Sequence, residues 1–342
     1  MKTTARPFWI LLGILLAALL LSVGVGRVSV APAEWRALLA AIMDGTVFTN
    51  PQTAPLASIL FNLRLPRTAL VALAGAALAG SGAAYQGLFR NPLADPYLIG
   101  VASGAGLGAV LAMSIQFPYT LGGMLATPAA AFLGALISVV LVMRLGRSGK
   151  RFAAPNLILA GVAVSAFASS LTSFLMLRAT GELRRALVWL LGGSTLSGWL
   201  PVLAALPYIL PGLGILISMG HGLNVLQFGN EQAQQLGLPV GRVRSLVIAA
   251  ATLATAAAVA FTGVIGFVGL IMPHLVRLLW GSDYRRLIPL SILGGAALLL
   301  VADVAARVVL APQELPVGII TALLGAPFFL WVLRRSQAAG SA

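Results

Sequence analysis

The sequence has no cysteine, two histidines and eight acidic residues in 342 positions. Without cysteine there is no disulfide, thiol nucleophile or thiolate metal site. Two histidines leave no His-rich metal centre, and no metal or bound cofactor is expected. Charged residues make up 9%, against about 25% in a soluble domain, which is too few to coat a cytosolic enzyme. The signatures of nucleotide binding and hydrolysis are missing as well. No G-x-x-x-x-G-K-[ST] occurs, and the nearest run, Gly146-Arg147-Ser148-Gly149-Lys150, has the wrong spacing. There is no H-E-x-x-H and no G-x-S-x-G. No cluster of acids sits inside the apolar runs, where an ion-coupled carrier would keep it. The expectation is a chain with no catalytic residues; if it transports, the energy comes from another subunit.

What is present is apolar: 59% of the residues, with a mean hydropathy of +0.99. The net charge of +14 is spread in short clusters between long uncharged runs. That pattern fits membrane loops better than a nucleic-acid-binding face. A helix needs about 20 apolar residues to cross the hydrocarbon core. The uncharged runs then predict an all-α polytopic protein, a single domain with spans near 8–26, 67–86, 97–114, 123–143, 155–177, 199–219, 245–263, 267–280, 287–302 and 315–333. Pro118 and Gly122-Gly123 divide one long run, and Gly263 and Gly266 divide another. Segment 1–26 resembles a signal peptide. Its uncharged stretch exceeds an h-region and ends in no A-x-A site, so it reads as an uncleaved first span. Ten spans put both termini on one side, and the bias of Lys and Arg in the short loops makes that side the cytoplasm.

Three patterns stand out. Gly100, Gly104 and Gly108 form a small-residue stripe that lets helix backbones approach, either for packing or for sliding. Ser165, Ser169, Thr172 and Ser173 fall on one face of the span at 155–177. That face either lines a polar path or glues helices together. On the far side, Arg64, Arg67 and Arg307 stand near span ends. They snorkel, pair with Asp303 or Glu314, or form a basic platform for an acidic partner. The inner segment 220–244 is long for so compact a chain. Within it Asn230 is expected to cap a short helix at 230–236, with Glu231 at the positive end of its dipole and Gly237 closing it.

Several segments together resemble one family. Leu63-Arg64-Leu65-Pro66-Arg67 precedes Gly75-Ala76-Ala77-Leu78-Ala79-Gly80-Ser81-Gly82 and Gln86-Gly87-Leu88-Phe89-Arg90-Asn91-Pro92-Leu93-Ala94-Asp95-Pro96. Gly266-Phe267-Val268-Gly269-Leu270-Ile271-Met272-Pro273-His274, Glu314-Leu315-Pro316-Val317-Gly318 and Leu324-Gly325-Ala326-Pro327 follow in order. The chain resembles the FecCD/BtuC-type permeases of ABC importers for iron chelates, haem and cobalamin. Segments 27–62 and 178–198 carry no motif.

The resemblance implies ten spans, cytoplasmic termini and a bacterial or archaeal cytoplasmic membrane. It implies a second permease subunit, often identical, two ATPase subunits that hold ATP and Mg, and a substrate-binding protein outside. It makes the 155–177 span, with its hydroxyl face, the lining of the path. The loop docking into the ATPase then contains Asn224, Gln227, Gly229, Asn230, Glu231, Gln232, Ala233, Leu236 and Gly237. Arg64, Arg67 and Arg307 meet acids on the binding protein. A ferric siderophore is the commonest cargo for the pattern, with cobalamin or haem as alternatives. A secondary carrier or a membrane enzyme is the distant alternative.

Overall fold

A computed structural model describes residues 6–26, 30–115, 120–148, 151–152, 154–178, 183–193 and 196–340. Pro118, Lys150 and the basic Lys2 before the first apolar run lie outside the described residues. The regular structure of the described chain is helical apart from two-residue strands β1 (Arg147–Ser148) and β2 (Arg151–Phe152), which pair antiparallel.

Among the described residues, a helix lies in each of the apolar segments: α1 (Arg6–Gly24), α4 (Leu65–Phe89), α5 (Val101–Met113), α6 (Leu121–Leu145), α7 (Ala154–Arg178), α9 (Trp199–Ser218), α12 (Val240–Thr262), α13 (Val268–Trp280), α14 (Tyr284–Val308) and α15 (Val317–Gly340). Among the described residues, seven helical stretches are long and apolar enough to cross a membrane, and α5, α13 and the apolar part of α15 are shorter. The 13 residues of α5 reach only about 20 Å at 1.5 Å per residue. A 3₁₀ turn at Pro96–Ile99 extends that element. Residues 263–267 do the same for α13 without helix. Non-helical backbone is tolerated at membrane depth only inside protein, and Gly263 and Ile265 there are buried.

The remaining helices are short. α2 (Pro32–Met43) and α3 (Ala54–Ser58), which runs into a π-helical turn at Ile59–Arg64, fill the first long connection. α8 (Leu183–Leu190) follows α7, and α10 (Gly220–Leu226) and α11 (Asn230–Gln235) form the segment between α9 and α12.

The centre of the bundle is α4, α12 and α14, and α7 lies at the rim: 72% of the apolar window of α12 is buried against 22% of that of α7. Glycine makes the centre possible. A Cβ on Gly82 would collide with the carbonyl oxygen of Gly269 in α13, and one on Gly75 with that of Gly295 in α14. The Gly104 and Gly108 stripe of α5 is likewise pressed on the backbone of α6 at Gly134 and Ala130. Gly104 and Gly108 thus form a close backbone contact, while Gly100, at φ +83° just before α5, faces Ser138 Oγ instead. Gly82→Leu should abolish monodisperse protein on size exclusion in detergent, whereas Gly13→Leu, with nothing within 4 Å of its would-be Cβ, should behave as wild type.

Candidate functional site

The functional residues gather at the two ends of the α4–α14 pair. Arg67 and Gly87 are both on α4, about 30 Å apart at the helical rise, the thickness of a bilayer core.

At the first end, four elements deliver charge to one place. Arg67, in the first turn of α4, donates from Nε and Nη2 to Asp303 Oδ1 at 3.1 and 2.9 Å, and from Nη1 to Glu314 Oε2 at 2.8 Å. Asp303 of α14 sets its other oxygen 3.1 Å from Arg307 Nε as an ion pair one turn later on the same helix, while the Nε–H itself donates to the Asp303 backbone carbonyl at 3.3 Å. Arg307 continues to α1, donating to the carbonyl oxygens of Ser22 and Val25 and to Ser22 Oγ at 3.0–3.2 Å. Arg64 donates to the carbonyl oxygens of Val23 and Gly24 at 3.0 Å. A helix leaves its last four carbonyls without intrahelical partners. Two guanidiniums cover those of Ser22, Val23 and Gly24 here, at the negative end of the α1 dipole.

These contacts decide what each arginine offers to the outside. Arg64 and Arg307 are buried, at 6% and 4% exposure. The side chain of Arg67 keeps 37% exposure, against 3% for Asp303. Of the three expected docking cations, only Arg67 thus presents a substantial face. The pairings with Asp303 and Glu314 weighed in the sequence are made. The same side chains line a cavity of about 630 Å³, whose other wall is Gly192, Gly193 and residues 196–198 after α8.

The hydroxyl face of α7 divides. Ser165 accepts a hydrogen bond from Ser103 Oγ of α5 at 3.1 Å. Thr172 is buried and donates to the Ala168 carbonyl at 2.8 Å. Ser173 donates to the Ser169 carbonyl at 3.0 Å, and both serines stay exposed. Ser165 joins helices and Thr172 satisfies itself. Ser169 and Ser173 remain on the open side of the chain, beside Phe167 and Phe174, which are also exposed.

At the second end, the segment from α10 to α11 is bonded on three sides. Asn224 Nδ2 donates to Asp283 Oδ1 at 2.6 Å, and its Oδ1 accepts from the Tyr284 backbone N–H at 2.9 Å. Gln227 Nε2 donates to the carbonyl oxygens of Gly87 in α4 and Leu223 at 3.0 and 2.9 Å. Arg244 of α12 donates to Asn230 Oδ1 at 3.3 Å. Burial pushes the Asp283 carboxyl up, but the Asn224 amide, the Arg285 N–H and the charges of Arg285 and Arg286 outweigh it and hold the pKa below the usual carboxylate value. A depressed carboxylate stabilises the fold above its unfolded pKa, and that contribution is lost as pH falls through the folded value.

One detail departs from the sequence reading. The N-cap of α11 is Gly229, at φ +106°, and Asn230 is the first helical residue, its side chain occupied by Arg244. The left-handed region suits glycine, and the turn needs it one residue earlier than the capping rule placed it. Gly237, at φ +80°, does close the helix, its N–H bonded to the Gln234 carbonyl. Ala233 is the buried anchor, while Glu231 and Gln232 point outward. Phe228 and Leu236 are each 67% exposed, a bare apolar pair on a polar loop. Phe228 escaped the sequence reading; a large aromatic beside the loop glycine was the available signal.

A chain this apolar, charged at both ends of a tightly packed helix pair and carrying a bonded, partly apolar loop at one of them, has the layout of a transport subunit. Residues 14–335 match the FecCD transport family. The chain belongs to that family. Its relatives include the cobalamin import system permease BtuC of Halobacterium salinarum, 46% identical over 89% of this chain and 80% of the relative. The hemin transport system permease HmuU of Yersinia pestis is 41% identical over 82% and 84%. A solved structure described as an inward-facing conformation of a metal-chelate type ABC transporter superposes with a TM-score of 0.80 at 32% identity, covering 96% of this chain and 98% of that one. This FecCD-family chain is thus a polytopic all-helical transport protein rather than an enzyme. The charged cluster and the bonded loop are where its partners are to be sought.

Proposed function

We propose that the chain is the permease subunit of an ATP-driven importer of a metal chelate. It works with a second, identical permease subunit, two ATPase subunits on the cytoplasmic side and a substrate-binding protein outside, and both of its termini are cytoplasmic. The observation that carries this reading is the loop bearing Phe228 and Leu236, which is bonded to three transmembrane helices and exposes its apolar side chains. A chain without a P-loop needs such a handle, because its power stroke comes from elsewhere. The permease relatives and the inward-facing structure support the same reading.

Delivery is proposed at the arginine end. The exposed face of Arg67 meets an acid on the binding protein, with Arg64 and Arg307 holding the surface in shape from beneath. Reversing its charge with Arg67→Glu should weaken binding-protein affinity by tenfold or so at low salt. An unchanged affinity would remove Arg67 from the docking surface. Ser169 and Ser173 are proposed to face the path between two copies.

The cargo is proposed to be a ferric siderophore; cobalamin and haem are the alternatives that the two named relatives favour. Uptake of each by cells carrying only this system would decide. Retention of the siderophore alone supports the assignment, and retention of cobalamin or haem alone replaces it.

A further inference from the structure

The loop does not merely lie on the protein. Asn224 grips the start of α14 twice, through the Asp283 carboxylate at 2.6 Å and the Tyr284 N–H at 2.9 Å. Gln227 grips the end of α4 at the Gly87 carbonyl, 3.0 Å away. These two helices run antiparallel and touch backbone to backbone at Gly75 and Gly295. Side-chain rotation cannot absorb a push where no side chain intervenes, and close-packed interiors transmit strain. At their far ends α4 and α14 are joined again by Arg67 and Asp303 at 2.9 Å. The pair is thus clamped at both ends and fused in the middle.

We infer that Asn224 and Gln227 are positioning residues that latch the loop to this α4–α14 pair, so that a displacement of the loop reaches the arginine end through the two helices moving as one body. The inference rests on the proposed docking of an ATPase at the loop, but it concerns a different link: what happens after docking. The amide of Asn224 does what no isostere can do alone, donating to a carboxylate and accepting from a backbone N–H. Asn224→Asp would face one carboxylate with another, and adding Asp283→Asn would restore a donor–acceptor pair with the roles exchanged.

The chain lacks cysteine, so a single Val309→Cys, exposed just past the end of α14, accepts a fluorescent maleimide at the arginine end. The assembled permease–ATPase complex is given MgATP, and the change in reporter emission is read. Asn224→Asp is expected to remove most of the ATP-driven change, and Asn224→Asp with Asp283→Asn to restore it. A full-sized change in the single variant, or no recovery in the double, overturns the inference. If Asn224→Asp fails to assemble, Gln227→Glu, which loses the donor to Gly87, carries the same expectation and the same refutation. A wild-type chain that neither binds nor stimulates the ATPase would instead remove the proposed function, and the inference with it.

Discussion

Replacing residues 230–236 by a short Gly-Ser link should leave a folded, membrane-inserted chain that no longer stimulates its ATPase. The segment contributes little to the bundle. Ala233 is its one fully buried side chain, and both flanking glycines, Gly229 and Gly237, already sit at positive φ, where the backbone is free to close. What the deletion removes is the exposed part, Leu236 with Glu231 and Gln232, next to Phe228 in the chain. Apolar anchors at the centre of a small contact carry most of its energy, on the order of 2 kcal/mol or more each. Hydrolysis in the complex should therefore fall to the rate of the isolated ATPase. Rates measured with and without the permease in detergent check this, and undiminished stimulation would place the contact elsewhere.

Asp303→Ala should be the most destabilising single substitution at the arginine end. One carboxylate holds two guanidiniums, Arg67 through Oδ1 and Arg307 through Oδ2, both near 3 Å. Arg307 is almost wholly buried, so removing its counter-charge strands it away from water. Breaking a buried pair from one side costs about 3–5 kcal/mol, whereas replacing both partners by apolar groups is often neutral. Asp303→Ala should lower the unfolding temperature in detergent sharply. Asp303→Leu with Arg307→Leu should recover much of the loss. An unchanged midpoint for the single variant would mean that Ser22, the Val25 carbonyl and the backbone carbonyl of residue 303 satisfy Arg307 without the carboxylate.

The ten apolar segments were legible because a membrane helix announces itself by composition. Of the short helices only α11 was, through its loop glycine and capping residues; the others were not. α8 and α10 are eight and seven residues long, below the length at which hydrophobic periodicity separates helix from loop. The close contact of α5 at Gly104 and Gly108 was visible in spacing alone, since close backbone approach favours small residues. The hydroxyl face of α7 was visible as a face. A helical wheel gives direction and not depth, so the inward turn of Ser165 and Thr172 and the outward turn of Ser169 and Ser173 needed the neighbouring helices.

The arginine end shows a different limit. Asp303 and Glu314 could be weighed as partners of Arg67, because acids are scarce and opposite charges attract. Arg64 donates to the carbonyls of Val23 and Gly24, and a backbone carbonyl leaves no trace in sequence. For the same reason the hold of Gln227 on Gly87 was invisible, although Gln227 itself stood within the expected loop.

The central claim is that this FecCD-family protein is a conduit driven by hydrolysis on another subunit. Reconstitution in vesicles with radiolabelled cargo tests it most directly. The chain alone, even with ATP inside, should not accumulate cargo above the outside concentration, and adding the ATPase and the loaded binding protein should produce accumulation that stops when ATP is withheld. Sustained uphill uptake by the purified chain alone would contradict the account.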